Sequence, residues 1–163
     1  MPRPSQKLEP IVQVPVVLRN VVNEIIPGQL YQRGQILTWQ REKKYAILDQ
    51  YGINRVVNFW PKMDPDLAES RVLNYFQISA AQSEQMLEDR VETVAHCVAD
   101  LTAESPAALV LCEAGKTRSV YFCILLVSLL KEISLEEAKD YVLSRLRSVS
   151  LKGCMLQRIS KGW

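Results

Sequence analysis

The chain has 163 residues, of which 48% are hydrophobic and 23% charged, the size and make-up of one domain with its own core. That balance excludes disordered, collagen-like and low-complexity classes. With 20 Lys+Arg against 18 Asp+Glu the formal charge is +2, too even to name nucleic acid as a partner.

Residues 1–23 are punctuated by Pro2, Pro4, Pro10 and Pro15 and include the β-prone stretch 14–22, which reads as an arm or edge strand ahead of a domain over 24–163. Pro27-Gly28 marks a turn, after which 30–33 is a short strand closed by Gly34. Thr38 caps a helix to about residue 50, with Trp39, Tyr45, Ala46 and Leu48 on its apolar side and Gly52 as its stop. A strand over 54–59 and a loop over 60–64 follow, then Asp64-Pro65 as N-cap and first turn of a helix to residue 73. Residues 75–78 are a strand and 79–83 a polar loop. The next helix runs to residue 101 on a stripe of Leu87, Val91, Val94, Val98 and Leu101.

Residues 107–111 are continuously apolar, the pattern of a strand covered on both faces. A helix over 117–131 comes next. Ser134 and Glu137 form a capping box for a helix over 135–146, and a last short helix is expected over 154–160. Strands alternating with helices predict an α/β fold, a mostly parallel central sheet flanked by helices, with ligands beyond the carboxyl ends of the strands. The apolar run over 120–130 falls short of the roughly 18–20 residues of a membrane span and reads as a buried helix. Cys97, Cys112, Cys123 and Cys154 show no C-x-x-C spacing and have only His96 to help them, so no metal is expected. Free thiols and an opening unlike a signal peptide point to the cytoplasm.

Chemistry concentrates where the central strand ends, in Cys112-Glu113-Ala114-Gly115-Lys116-Thr117-Arg118-Ser119. Five residues between Cys112 and Arg118 can curl so that the amides of Glu113, Ala114, Gly115, Lys116 and Thr117 face one concavity, an anion nest reinforced by the helix N-terminus. Gly115 permits the curvature. Arg118 can return its planar fork to two oxygens of a phosphate held there. The field that holds a dianion also favours a thiolate, which makes Cys112 a nucleophile at neutral pH and its cysteinyl-phosphate the intermediate. Ser119 is placed to hydrogen-bond the departing sulfur. A nucleotide P-loop is rejected, because its first glycine would fall at Val110.

This loop resembles that of cysteine-dependent protein tyrosine phosphatases, especially the small dual-specificity group. Ile26-Pro27-Gly28-Gln29-Leu30-Tyr31-Gln32-Arg33-Gly34-Gln35, Tyr51-Gly52-Ile53-Asn54-Arg55-Val56-Val57-Asn58-Phe59 and Ser134-Leu135-Glu136-Glu137-Ala138 extend the resemblance across residues 24–146. It implies the phosphatase-like α/β fold and hydrolysis of a phosphorylated protein or small phosphomonoester without metal or organic cofactor. Two departures stand out. The family has histidine just before the nucleophile, where this chain has Leu111. Its general-acid aspartate follows the strand matching 75–78, where this chain reads Ser79-Ala80-Ala81-Gln82-Ser83-Glu84, leaving Glu84, Asp64 and Asp66 as substitutes.

Loss of a positioned acid costs about 10²- to 10⁴-fold in rate and least for a phenolate, which favours phosphotyrosine over phosphoserine. Lys116 inside the loop resembles inositol phosphate and phosphoinositide phosphatases, against the plainer reading of a solvated lysine at the rim. The rival to an enzyme is a phosphatase-fold protein that grips phosphorylated partners without turnover. His96 faces away from the apolar stripe and reads as a surface residue, and Cys97 and Cys123 read as packing residues. Trp60, at a strand end, either walls the pocket or joins the core.

Overall fold

The computed structural model describes residues 21–70, 74–78, 84–105, 107–113 and 118–146. Its elements are β1 (Asn23–Ile26), β2 (Leu30–Gly34), α1 (Arg41–Tyr51), β3 (Arg55–Asn58), α2 (Pro65–Ala68), β4 (Asn74–Gln77), α3 (Glu84–Glu104), β5 (Ala108–Cys112), α4 (Arg118–Lys131) and α5 (Leu135–Leu143). The strands form one sheet in the order β1-β2-β5-β3-β4. Among the described residues only the β1–β2 pair is antiparallel, and β5 is hydrogen-bonded in parallel to β2 on one side and β3 on the other. This is the expected mostly parallel α/β sheet, with β5 at its centre.

Alternation along β5 divides the core. Ala108, Val110 and Cys112 pack with α3, α4 and α5 through Val91, Val98, Phe122 and Ala138. Leu109 and Leu111 pack on the opposite face with Ile36, Ile47, Val56 and Leu67. A side-chain period of two sends neighbours on a strand to opposite faces, so a strand buried on both sides must be apolar throughout. β5 was therefore legible in the sequence.

Differences from expectation are local. β1 begins at Asn23, and Val22 before it is already buried, so packing reaches back into the expected arm. Residues 1–20, the loop 79–83 and the expected helix over 154–160 lie outside the described residues. α1 starts at Arg41 rather than Thr38, because residues 37–39 are held in a turn by the Trp39 amide donating to the Ile36 carbonyl at 2.9 Å. Trp39 sits before the helix, with the cations of Arg33 and Lys43 at 4.5 and 3.9 Å from its ring. Gly52 stops α1 as expected, at φ 62°, a left-handed conformation that costs glycine little.

Asp64 does cap α2, but the helix ends at Ala68, before the chain turns to join β4. α3 runs on to Glu104, and its buried line is Val91, Ala95, Val98, Ala99 and Thr102, with Leu101 only half-buried. The helical period of 3.6 carries the stripe from Val98 to Thr102 rather than to Leu101. α5 starts on the expected capping box of Ser134 and Glu137 and ends at Leu143, where Ser144 closes it. No helix among the described residues is long and apolar enough to cross a membrane.

Candidate active site

β5 delivers Cys112 to the carboxyl edge of the sheet, and α4 starts at Arg118. Of the expected phosphate cradle, Ala114, Gly115, Lys116 and Thr117 lie outside the described residues. Glu113 is exposed, and its carbonyl accepts the Gln35 amide at 3.3 Å. That bond continues the β2–β5 ladder, in which Gly34 is opposite Cys112. The strand end that presents the sulfur is therefore fixed by its neighbour.

Cys112 is 2% exposed and Ser119 is fully buried. Their Sγ and Oγ atoms stand 2.9 Å apart. Ser119 lies in the first turn of α4, so helix geometry aims its hydroxyl back at the strand end. Behind it, Gln32 of β2 donates from Nε2 to Ser119 Oγ at 2.7 Å, and Gln32 Oε1 accepts from Asn23 Nδ2 at 2.8 Å. Gln32 is wholly buried. Sequence reasoning missed it, because a polar residue between Tyr31 and Arg33 carries no sign of burial until Ser119 arrives from the far half of the chain.

Arg118 is exposed, and its Nη1 donates to the Phe59 carbonyl at 3.3 Å. A guanidinium has five N–H donors in a fixed fork, so one bond to the end of β3 orients the group and leaves it capable of others. Phe59 is itself fixed. Its amide donates to the Leu111 carbonyl at 2.8 Å, and its ring meets Phe122 of α4 edge-on at 5.2 Å. Leu111 is 1% exposed and points to the opposite face of the sheet from Cys112.

The carboxylates considered as general acids are placed as follows. Asp64 is buried, with Oδ1 accepting from the Asp66 and Leu67 amides and from Lys44 Nζ at 3.0 Å. Asp66 accepts from Lys44 at 2.8 Å and Arg41 at 3.0 Å. Hydrogen bonds from Lys44 and Arg41 hold the Asp66 carboxyl below the usual carboxylate range, the wrong direction for an acid that must carry a proton. Asp66 and the Oδ1 of Asp64 thus join α1 and α2, while the buried Oδ2 of Asp64 has no partner among the described residues. Glu84 opens α3, and its side chain lies outside the described part.

The loop after β3 is tied down by side chains that the sequence did not single out. Asn58 Nδ2 donates to Tyr75 Oη at 2.8 Å and to Gln77 Oε1 at 3.2 Å, and the Asp64 amide donates to Tyr75 Oη at 3.1 Å. Gln77 Nε2 reaches back to the Trp60 carbonyl. Trp60 is half-buried, and its Nε1 has no partner among the described residues. Burial raises the Tyr75 hydroxyl above its ordinary range despite the Asn58 bond, so it stays a neutral hinge pin for the loop. His96 is exposed, as expected; Cys97 is exposed too, which corrects its reading as a packing residue, whereas Cys123 is buried. Among the described residues no cluster of three or more potential ligands could hold a metal.

A strand-end cysteine, a helix-start arginine and a mostly parallel sheet in this order define the fold of the dual-specificity and tyrosine phosphatases. The solved structures of that class match closely in three dimensions. Human DUSP28 superposes with a TM-score of 0.67 at 16% identity over 91% of this chain and 95% of its own. A mouse putative dual specificity phosphatase complexed with zinc tungstate gives 0.68 at 15% identity over 92% and 91%. The human tyrosine phosphatase-like serine/threonine/tyrosine-interacting protein gives 0.61 at 16% over 86% and 94%. No protein-family model and no curated protein matches the chain.

Proposed function

We propose that this protein is a cysteine-dependent phosphomonoesterase acting on phosphotyrosine or aryl phosphate esters. The observation that carries this reading is Cys112 Sγ at the carboxyl end of the central strand, 2.9 Å from Ser119 Oγ, with Arg118 opening the helix beside it. In the first step the Cys112 thiolate attacks phosphorus, the bond to the ester oxygen breaks, and the phenolate leaves with the electron pair to take a proton from solvent. In the second, water attacks the cysteinyl-phosphate, the S–P bond breaks, and its pair returns to sulfur. Both protons of that water leave on the released phosphate.

The cradle assigned to the reaction is the backbone of Glu113, Ala114, Gly115, Lys116 and Thr117 with the Arg118 guanidinium, and Ser119 serves the second step. With Asp64 and Asp66 engaged by Lys44, leaving-group protonation falls to solvent or to Glu84. A phenol, with a pKa of about 10, leaves with least help. Inositol phosphates are a further substrate class if Lys116 contacts them.

The test is hydrolysis of p-nitrophenyl phosphate and of matched phosphotyrosine and phosphoserine peptides by wild type, Cys112→Ser and Arg118→Lys. Cys112→Ser is expected to abolish turnover and Arg118→Lys to lower it about 10²- to 10³-fold, in line with loss of a preorganised donor. Equal rates on the two peptides would overturn the phosphotyrosine preference. A phospho-ligand binding protein is the second reading, favoured by the pairing of the two aspartates with Lys44. It would be upheld by phosphopeptide binding that needs Arg118 without Cys112-dependent hydrolysis.

A further inference from the structure

Resting on the phosphatase reading, we infer that Gln32 is a positioning residue that sets the direction of the Ser119 hydroxyl and so aims its hydrogen at the Cys112 sulfur. An amide side chain has a donor end and an acceptor end. Asn23 Nδ2 donates to Gln32 Oε1 at 2.8 Å, which turns Nε2 toward Ser119 Oγ, 2.7 Å away. Nε2 can only donate, so it occupies a lone pair of Oγ. The single hydroxyl hydrogen of Ser119 is then directed to its other neighbour, Cys112 Sγ at 2.9 Å.

The result is a one-way chain, Asn23 to Gln32 to Ser119 to Cys112, in which each hydrogen bond runs toward the sulfur. All the groups after Asn23 are at most 2% exposed, so water competes little for these bonds, and a donor aimed at a buried anion is worth more than one in water. The same donor stabilises sulfur as it regains its electron pair when the cysteinyl-phosphate is hydrolysed. A carboxylate at position 32 would reverse the chain by drawing the Ser119 hydrogen to itself and turning a lone pair toward sulfur.

Three variants separate this role from packing: Gln32→Met, which nearly keeps the volume but removes the donor; Gln32→Glu, which keeps the shape and reverses the polarity; and Ser119→Ala. The first readout needs no turnover. The rate of alkylation of Cys112 by iodoacetamide, followed by mass spectrometry of its peptide, is measured against pH. The profile is expected to move to higher pH in all three, furthest in Gln32→Glu; an unmoved profile in Gln32→Met overturns the proposal.

The second readout is the time course of p-nitrophenolate release. Gln32→Met is expected to show an initial burst equal to the enzyme concentration and then a steady rate about tenfold below wild type, the scale of one lost hydrogen bond. The double variant Gln32→Met/Ser119→Ala should be no slower than Ser119→Ala alone. Additive losses, or a slower rate without a burst, count against it. Absence of hydrolysis by wild type sinks the phosphatase reading, while the alkylation profile still decides the role of Gln32.

Discussion

The three cysteines among the described residues carry the same thiol in different surroundings. Cys123 is wholly buried in α4, and burial, with the nearby Cys112 sulfur as a second cause, pushes its thiol well above the ordinary range. Cys97 lies on the exposed side of α3. Thiolate fraction and access together govern alkylation, so brief treatment of the native protein with iodoacetamide at pH 8 is expected to label Cys97 and spare Cys123 until denaturant is added. Peptide mass spectrometry reads this directly, and native labelling of Cys123 would contradict its packing. At this scale the sequence was readable only where chemistry and spacing coincide. Cys112 and Arg118 stand out because an apolar strand and a helix flank them. Gln32 and Lys44 do not, since a polar side chain looks the same in sequence whether water or a distant partner surrounds it.

Between elements, the most consequential polar contact is Lys44. Its Nζ reaches from the first turn of α1 to Asp64, the N-cap of α2, and to Asp66, and the lysine is 1% exposed. Burial pulls its ammonium down, but hydrogen bonds and charges from Asp66 and Asp64 outweigh this and hold it above the ordinary lysine range. Removing one partner of a buried pair strands the other charge. Lys44→Met is therefore expected to cost about 3–5 kcal/mol in urea unfolding, and a loss below about 1 kcal/mol would mean that Asp64 is effectively solvated.

Elements with local signals were legible in advance, such as α5 from the Ser134–Glu137 box and α1 from its Gly52 stop. β1 was not, because four residues, Asn23–Ile26, with Pro27 directly after them offer too little alternation. The length of α2 was also misread: it ends at Ala68, and β4 pairs with β3 from Asn74, a tertiary contact that no helix propensity records.

For the molecule as a whole, the same cluster sets the response to pH. Asp66 has a lowered folded value, so its contribution is present above the unfolded carboxyl value of about 3.9 and is lost as the solution is acidified through the folded value. Lys44 has a raised one, so its share is complete below about 10.5 and disappears as alkali passes its folded value. Urea midpoints measured at pH 3, 5 and 7 are expected to fall at pH 3, and Asp66→Asn should flatten that acid limb. An unchanged limb would show that other carboxylates govern it.

The central place of β5 has a consequence for how the chain acquires its shape. Its two ladder partners, β2 and β3, are made long before it and are not hydrogen-bonded to each other in the sheet. Without residues 108–112 the sheet would be split between β2 and β3, each left with one unpaired edge. Joining β2 and β3 through β5 is a long-range closure of the slow kind, and a chain in which β5 is displaced would expose strand edges that invite association with other chains.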